Sequence, residues 1–207
     1  VSLLAQLVED YGLPPEPMLA KAGIAAELLT NPKAHISQQQ DINFVQAMLE
    51  AIDDPLIGFK AGQRYRISAF GTIGLAAVSS ETVGDAIDFF MKYIQLSYTH
   101  FDVFTFKEQG KAIIRFKDQY ELANLRRFYL ERDFAFVMVS TRGMFPRSLE
   151  HHSFKAIHFD FECPTTKEQY EALFECSVSF SQPFNEIQFD DSYLDRPLPQ
   201  ANPLSRQ

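Results

Sequence analysis

The residues FGTIG at 70–74 stand just ahead of a segment with helical spacing, where a glycine loop can cradle phosphate on backbone N–H groups. The two glycines fit neither G-x-G-x-x-G nor G-x-x-x-x-G-K-[ST], since a third glycine and a following Lys are missing. Gly71 and Gly74 are therefore expected to ease a close backbone approach or a bulge. His151 and His152 are neighbours whose side chains diverge, so they would not converge on a metal, and His35, His100 and His158 are isolated. Cys163 and Cys176 lack a C-x-x-C spacing and read as free, mostly buried thiols. No G-x-S-x-G elbow is present, and Asp53–Asp54 and Asp190–Asp191 sit in turn-like contexts that capping explains. The expectation is a protein without catalytic residues, metal or cofactor.

Basic residues beside aromatic ones offer a different chemistry. Arg64 and Arg66 flank Tyr65, and Arg126 and Arg127 precede Phe128 with Arg132 at helical distance. Guanidinium donors and ring faces together could clamp an acidic or amphipathic ligand. The alternative is surface ion pairing, which 27 acidic side chains make easy. Phe (20) and Tyr (8) exceed what a core of this size needs, so part of that surplus could line a pocket.

The elements that would position these groups fall into two parts. Leu3, Leu4, Leu7 and Val8 share a helical stripe stopped by Gly12 and Pro14, and MLAKAG forms a short helix ending at Gly23. Ser37 and Gln40 have capping-box spacing ahead of Ile42, Val45, Leu49 and Ile52. PLIGFKAG adds a short helical segment. FGTIGLAAV then reads as a buried strand, followed by a helix capped by Thr82 and Asp85. FDVFTFKEQGKAIIRF is a hairpin turning at EQG, and ELANLRRFYLERDFAFVMVSTRGMF is a long helix. FKAIHFDF, VSF and EIQF read as strands, with TTKEQYEALFEC as a helix between the first two. The sum is α+β: an N-terminal helical segment (1–62), then a small, largely antiparallel sheet packed with helices (67–190), one of them long. Residues 193–207, rich in Pro, read as an exit linker from one domain of 1–200.

The net charge of −8 and pI near 5.1 disfavour direct contact with nucleic acid. No apolar run approaches the roughly 20 residues of a membrane span, and no signal segment opens the chain, so a cytoplasmic location without membrane contact is expected.

Four stretches in order, YGLPPEPMLAKAGI with ELLTNP, DDPLIGFKAG, FGTIGLAAVSSETVGDAIDFFMKYIQL and FECSVSFSQPFNEIQFDDSYLDRPLPQANP, resemble the effector-binding, arabinose-binding-type N-terminal domain of AraC-type transcription regulators. The resemblance is to the branch that includes regulators similar to the ornithine-utilisation one. It implies a bacterial sensor domain whose small effector, amphipathic or anionic and of unknown identity, controls an attached helix-turn-helix domain. Promoter DNA would be met only through that second domain, which is missing from this chain. A homodimer is expected, and the alternative is a dimerising or interaction module without a small-molecule site. From their chemistry, Tyr65, Arg66, Phe70, Tyr93, Phe104, Arg127 and Phe128 are candidates to line the pocket, with Arg66 and Arg127 as anion partners, between the N-terminal helices and the sheet. Leu122, Leu125, Phe136 and Val139 are candidates for the dimer face, or else simply core.

Overall fold

The computed structural model describes residues 1–31, 35–94, 99–144 and 154–201. Four helices open it: α1 (Ser2–Asp10), α2 (Glu16–Lys21), α3 (Gln38–Ala51) and α4 (Ile57–Gly62). α1 buries Leu4, Leu7 and Val8, and the chain leaves it through Gly12 at φ 74°, a left-handed conformation that glycine adopts without steric cost. The capping box of α3 forms as its spacing predicts: Gln40 N donates to Ser37 Oγ at 3.2 Å and Ser37 N to Gln40 Oε1 at 3.0 Å. Asp54 accepts from the Leu56 N–H at 2.8 Å and from Lys60 Nζ at 2.5 Å, so this carboxylate organises a turn, as expected.

The segment read as a strand is helical. Ile67–Phe70 forms a 3-10 turn and α5 spans Thr72–Val78. Gly71, at φ 56° and ψ −127°, stands at the junction in a conformation that side chains resist. A Cβ on Gly74 would fall 1.9 Å from the Ile67 carbonyl oxygen, so the helix lies directly on the turn before it. An apolar run of this length carries no period that separates a buried helix from a buried strand. Close backbone approach is thus the role of Gly74, on a helix instead of a strand.

α6 (Val83–Lys92) follows, with the Thr82–Asp85 capping box in place. β1 (Phe101–Glu108) and β2 (Lys111–Asp118) pair antiparallel around Gln109 and Gly110. Both turn residues have positive φ, 50° and 74°, as a two-residue type I′ turn requires. α7 (Arg126–Gly143), preceded by a 3-10 turn, leads to β3 (Phe154–His158), α8 (Lys167–Phe174), β4 (Ser177–Ser179) and β5 (Asn185–Asp190). The five strands form one sheet in the order β1-β2-β5-β3-β4, antiparallel except for the β3–β4 pair. The architecture is α+β.

α7 is the axis of the molecule. Every residue from Phe128 to Ala135 is buried, charged ones included. α4 crosses it at backbone contact: a Cβ on Gly62 would lie 2.2 Å from the Arg132 carbonyl oxygen, and one on Gly58 2.7 Å from that of Phe128. Phe134 stacks toward Phe116 and Phe159 at ring distances of 4.9 and 4.8 Å, tying helix to sheet.

The stretch expected to be an exit linker is docked through Leu198. Val83 N donates to the Arg196 carbonyl at 3.0 Å, Gly84 N to that of Leu194 at 2.8 Å, and Leu198 N to that of Glu81 at 2.9 Å. Leu198 is buried with Ala77, Val83 and Ala86. The first N–H groups of α6, which no helix can satisfy internally, are thereby taken up by the C-terminal segment.

Candidate functional site

The first turns of α7 supply charge and the later ones an apolar wall. Asp133, Phe136, Val137, Ser140, Thr141 and Met144 recur at helical spacing and face one cavity of about 100 Å³. Opposite them α6 presents Ala86, Ile87, Phe90, Met91 and, just past its end, Ile94. Val103 of β1, with Ile114 and Phe116 of β2, closes the sheet side, and Tyr65, Ile67 and Phe70 the remaining side. Phe70 meets Phe90 edge-on at 5.0 Å and Phe136 at 5.3 Å, so three rings from three elements form one wall.

At the deep end lies Arg132, 2% exposed. Its Nε donates to Asp133 Oδ1 at 2.8 Å and its Nη2 lies 2.8 Å from the same oxygen, and its guanidinium carbon sits 4.7 Å from the Tyr129 ring and 5.8 Å from that of Tyr65. Burial works against its charge, but Asp133, with smaller contributions from Tyr65, Asp41 and Tyr129, outweighs it and holds the pKa above the usual arginine value. Tyr129 donates to Asp41 at 3.0 Å, and His100 hydrogen-bonds Gln38 at 3.0 Å. His100 is thus a satisfied interior histidine. Among the described residues, three buried side-chain oxygens lack a hydrogen-bond partner: Asp133 Oδ2, Ser140 Oγ and Thr165 Oγ1. The first two belong to residues of the cavity wall.

Of the residues singled out from sequence, Tyr65 and Phe70 line this cavity, and so does Phe136, assigned there to a dimer face. Arg66 instead bonds the carbonyls of Gln63 and Tyr65 from an exposed position. Arg127 lies 4.0 Å from Glu131 in a shallow cleft with Asp53 and Pro164. Phe104 is 49% exposed on the far side of β1, because alternation points it away from Val103, and it shares a surface groove with Phe106, Arg115 and Phe184. Tyr93 is 42% exposed, with its ring 5.1 Å from Phe89. Phe128, Leu122 and Leu125 are buried in the core, which leaves no apolar face there for a partner, while Val139 is half-buried. His151 and His152 lie outside the described residues. Cys163 and Cys176 are free and half-buried, with burial pushing the Cys176 thiol up to about 12.

Arg132 and Asp133 carry the polar end of the cavity; Arg132 entered the sequence reading beside Phe128 but not among the lining candidates, and Asp133 was not singled out. The signal available was a run of three charges, Glu131 to Asp133, set between the apolar stretches FYL and FAFVMV.

Residues 12–198 match the family described as the arabinose-binding domain of AraC transcription regulators, N-terminal. The chain belongs to this family. An uncharacterized HTH-type transcriptional regulator of Mycobacterium tuberculosis is 25% identical over 202 residues, covering 97% of this chain and 59% of that protein. The ornithine utilization regulator of Pseudomonas aeruginosa is 26% identical over 205 residues, covering 99% of this chain and 59% of its own length. The chain therefore spans about three-fifths of these curated relatives. The crystal structure of the transcriptional regulator CdpR from Pseudomonas aeruginosa superposes with a TM-score of 0.67 at 17% identity, over 92% of this chain and 58% of that one, a likeness of fold. These relatives are named as transcription regulators. Among the described residues no helix is long and apolar enough to cross a membrane.

Proposed function

We propose that this AraC-family domain senses a small, mainly apolar effector in the cavity between α6 and α7, and passes its occupancy to an attached helix-turn-helix domain. The observation that carries this reading is the double role of α6. One face of the helix lines the cavity through Ile87, Phe90 and Met91, while its first turn holds the C-terminal segment through the Val83–Arg196 and Gly84–Leu194 hydrogen bonds. A ligand that wedges between α6 and α7 acts on the element that anchors the exit of the domain. Only a ligand that distinguishes two positions of α6 would change the output. The cavity is built mainly from side chains without charge, which favours an apolar effector body. Regulation of promoter DNA in the cytoplasm and a homodimeric state complete the proposal, the dimer using a surface other than the buried Leu122 and Leu125.

The experiment is a thermal-shift screen of the chain against amino acids, fatty acids, aromatic acids and cyclic nucleotides, since a ligand of the folded state raises apparent stability by mass action. A hit is expected to lose its shift in Val137→Phe, which fills the cavity. A folded chain that responds to no class, together with native mass spectrometry showing no retained small molecule, would favour the interaction-module reading instead.

A further inference from the structure

The polar end of the cavity restricts what the effector can present there. Oδ1 of Asp133 accepts from Nε of Arg132 and lies 2.8 Å from its Nη2. Oδ2 of the same carboxylate is buried without a protein donor among the described residues, on a residue that faces the cavity and is 8% exposed. A buried carboxylate oxygen left in this condition costs free energy that a donor would recover.

We propose that the effector presents a neutral hydrogen-bond donor, a phenol, alcohol or indole-type N–H on an apolar frame, to Asp133 Oδ2. This rests on the reading of the cavity as the effector site. A carboxylate would meet the Asp133 oxygen with like charge. An ammonium would be stripped of water beside a guanidinium that already balances Asp133, and the remaining walls, Phe70, Phe90 and Val137 among them, could not solvate it. A neutral donor adds the missing hydrogen bond without burying a further charge. Ser140, seven residues on along α7 and so about 10 Å along the same stripe, gives a longer ligand a second polar contact.

The test is isothermal titration of the 207-residue chain with indole and indene, which share shape and differ in one donor, alongside benzylamine and benzoate. Indole is expected to bind about tenfold or more tightly than indene, as one hydrogen bond to a charged acceptor implies, and neither charged probe to bind measurably. Asp133→Asn keeps an acceptor for Arg132 and can turn its amide donor toward the ligand. In that variant the indole preference should vanish while indene binding persists, which shows that the cavity is intact. Equal binding of indole and indene by the unaltered chain would overturn the donor assignment and leave the cavity reading standing. Tighter binding of benzylamine or benzoate would overturn it in favour of a charged ligand. Failure of all four probes to bind the folded chain would count against both readings.

Discussion

Arg132 and Asp133 are consecutive residues of α7, yet both Nε and Nη2 of the arginine reach a single oxygen of the aspartate at 2.8 Å. Neighbours on a helix do not normally face one another, so the arginine must curl back along its own helix. α4 crosses at backbone distance over this same residue. The pair is internally balanced, which allows two charges to sit at the centre of the domain.

Removing one partner should therefore cost more than removing both. Arg132→Met strands Asp133 in the interior, and the expected loss is about 3–5 kcal/mol in urea unfolding. Arg132→Met combined with Asp133→Leu should recover at least half of that, a coupling that a double-mutant cycle reads directly. Additive losses would mean that the two side chains stabilise the fold separately.

Glu131 precedes this pair and behaves differently. It is 1% exposed, and its Oε1 accepts from the Tyr170 hydroxyl at 2.5 Å. Burial pushes its carboxyl up to about 7 from an ordinary 4.5, with Tyr170 and Arg127 pulling the other way. Between those two values the folded chain holds a proton that the unfolded chain has released, so stability falls as pH rises through this window and the penalty persists above it. Glu131→Gln should remove that contribution. Its stability relative to the parent is expected to grow between pH 5 and 7 and then level off, reaching on the order of 2–3 kcal/mol at pH 8 in urea midpoints. A difference independent of pH would show that the carboxyl is already ionised when folded.

The sequence was legible where local chemistry decides the outcome. Ser37 with Gln40 and Thr82 with Asp85 marked helix starts that form as read, and EQG marked a turn that needs two positive φ values. It was not legible where tertiary packing decides. The run from Thr72 to Val78 has no polar face to betray a helix. Arg126 to Asp133 looks like the charged side of a surface helix, yet Phe128 to Asp133 is buried on every side, because α4, the sheet and α8 close around it. Arg66 and Arg127 were the anion partners expected from sequence, and only the fold assigns the interior position to Arg132. The cavity draws on residues from Tyr65 to Met144, a convergence that no local window displays.

Gly62 offers a test of how tightly α4 and α7 are joined. A methyl group there would sit 2.2 Å from the Arg132 carbonyl oxygen and 2.6 Å from the Ala135 Cβ, both rigid parts of a central helix. Gly62→Ala should lower stability by about 1–3 kcal/mol or more through overpacking, whereas Gly143→Ala, with open space around it, should be neutral or slightly stabilising. Thermal unfolding of the two variants side by side distinguishes strain at one crossing from a general effect of the added methyl.

Leu198 reports on the link between α6 and the C-terminal segment. It is 4% exposed and closes the small core of Ala77, Val83 and Ala86, separate from the main core around α7. Leu198→Ala should therefore loosen the segment locally, at about 2–4 kcal/mol for the buried side chain, while leaving the sheet intact. Hydrogen exchange is the measurement: the amides of Val83, Gly84 and Leu198, which bond across this seam, should exchange faster, and those of Ile187 and Phe189 in β5 should stay protected. The same amides should gain protection when an effector fills the cavity, if α6 couples the two. Protection of Val83 and Gly84 unchanged by Leu198→Ala would mean that α6 keeps its N-terminal partners without this side chain, and the coupling would have to run through another element.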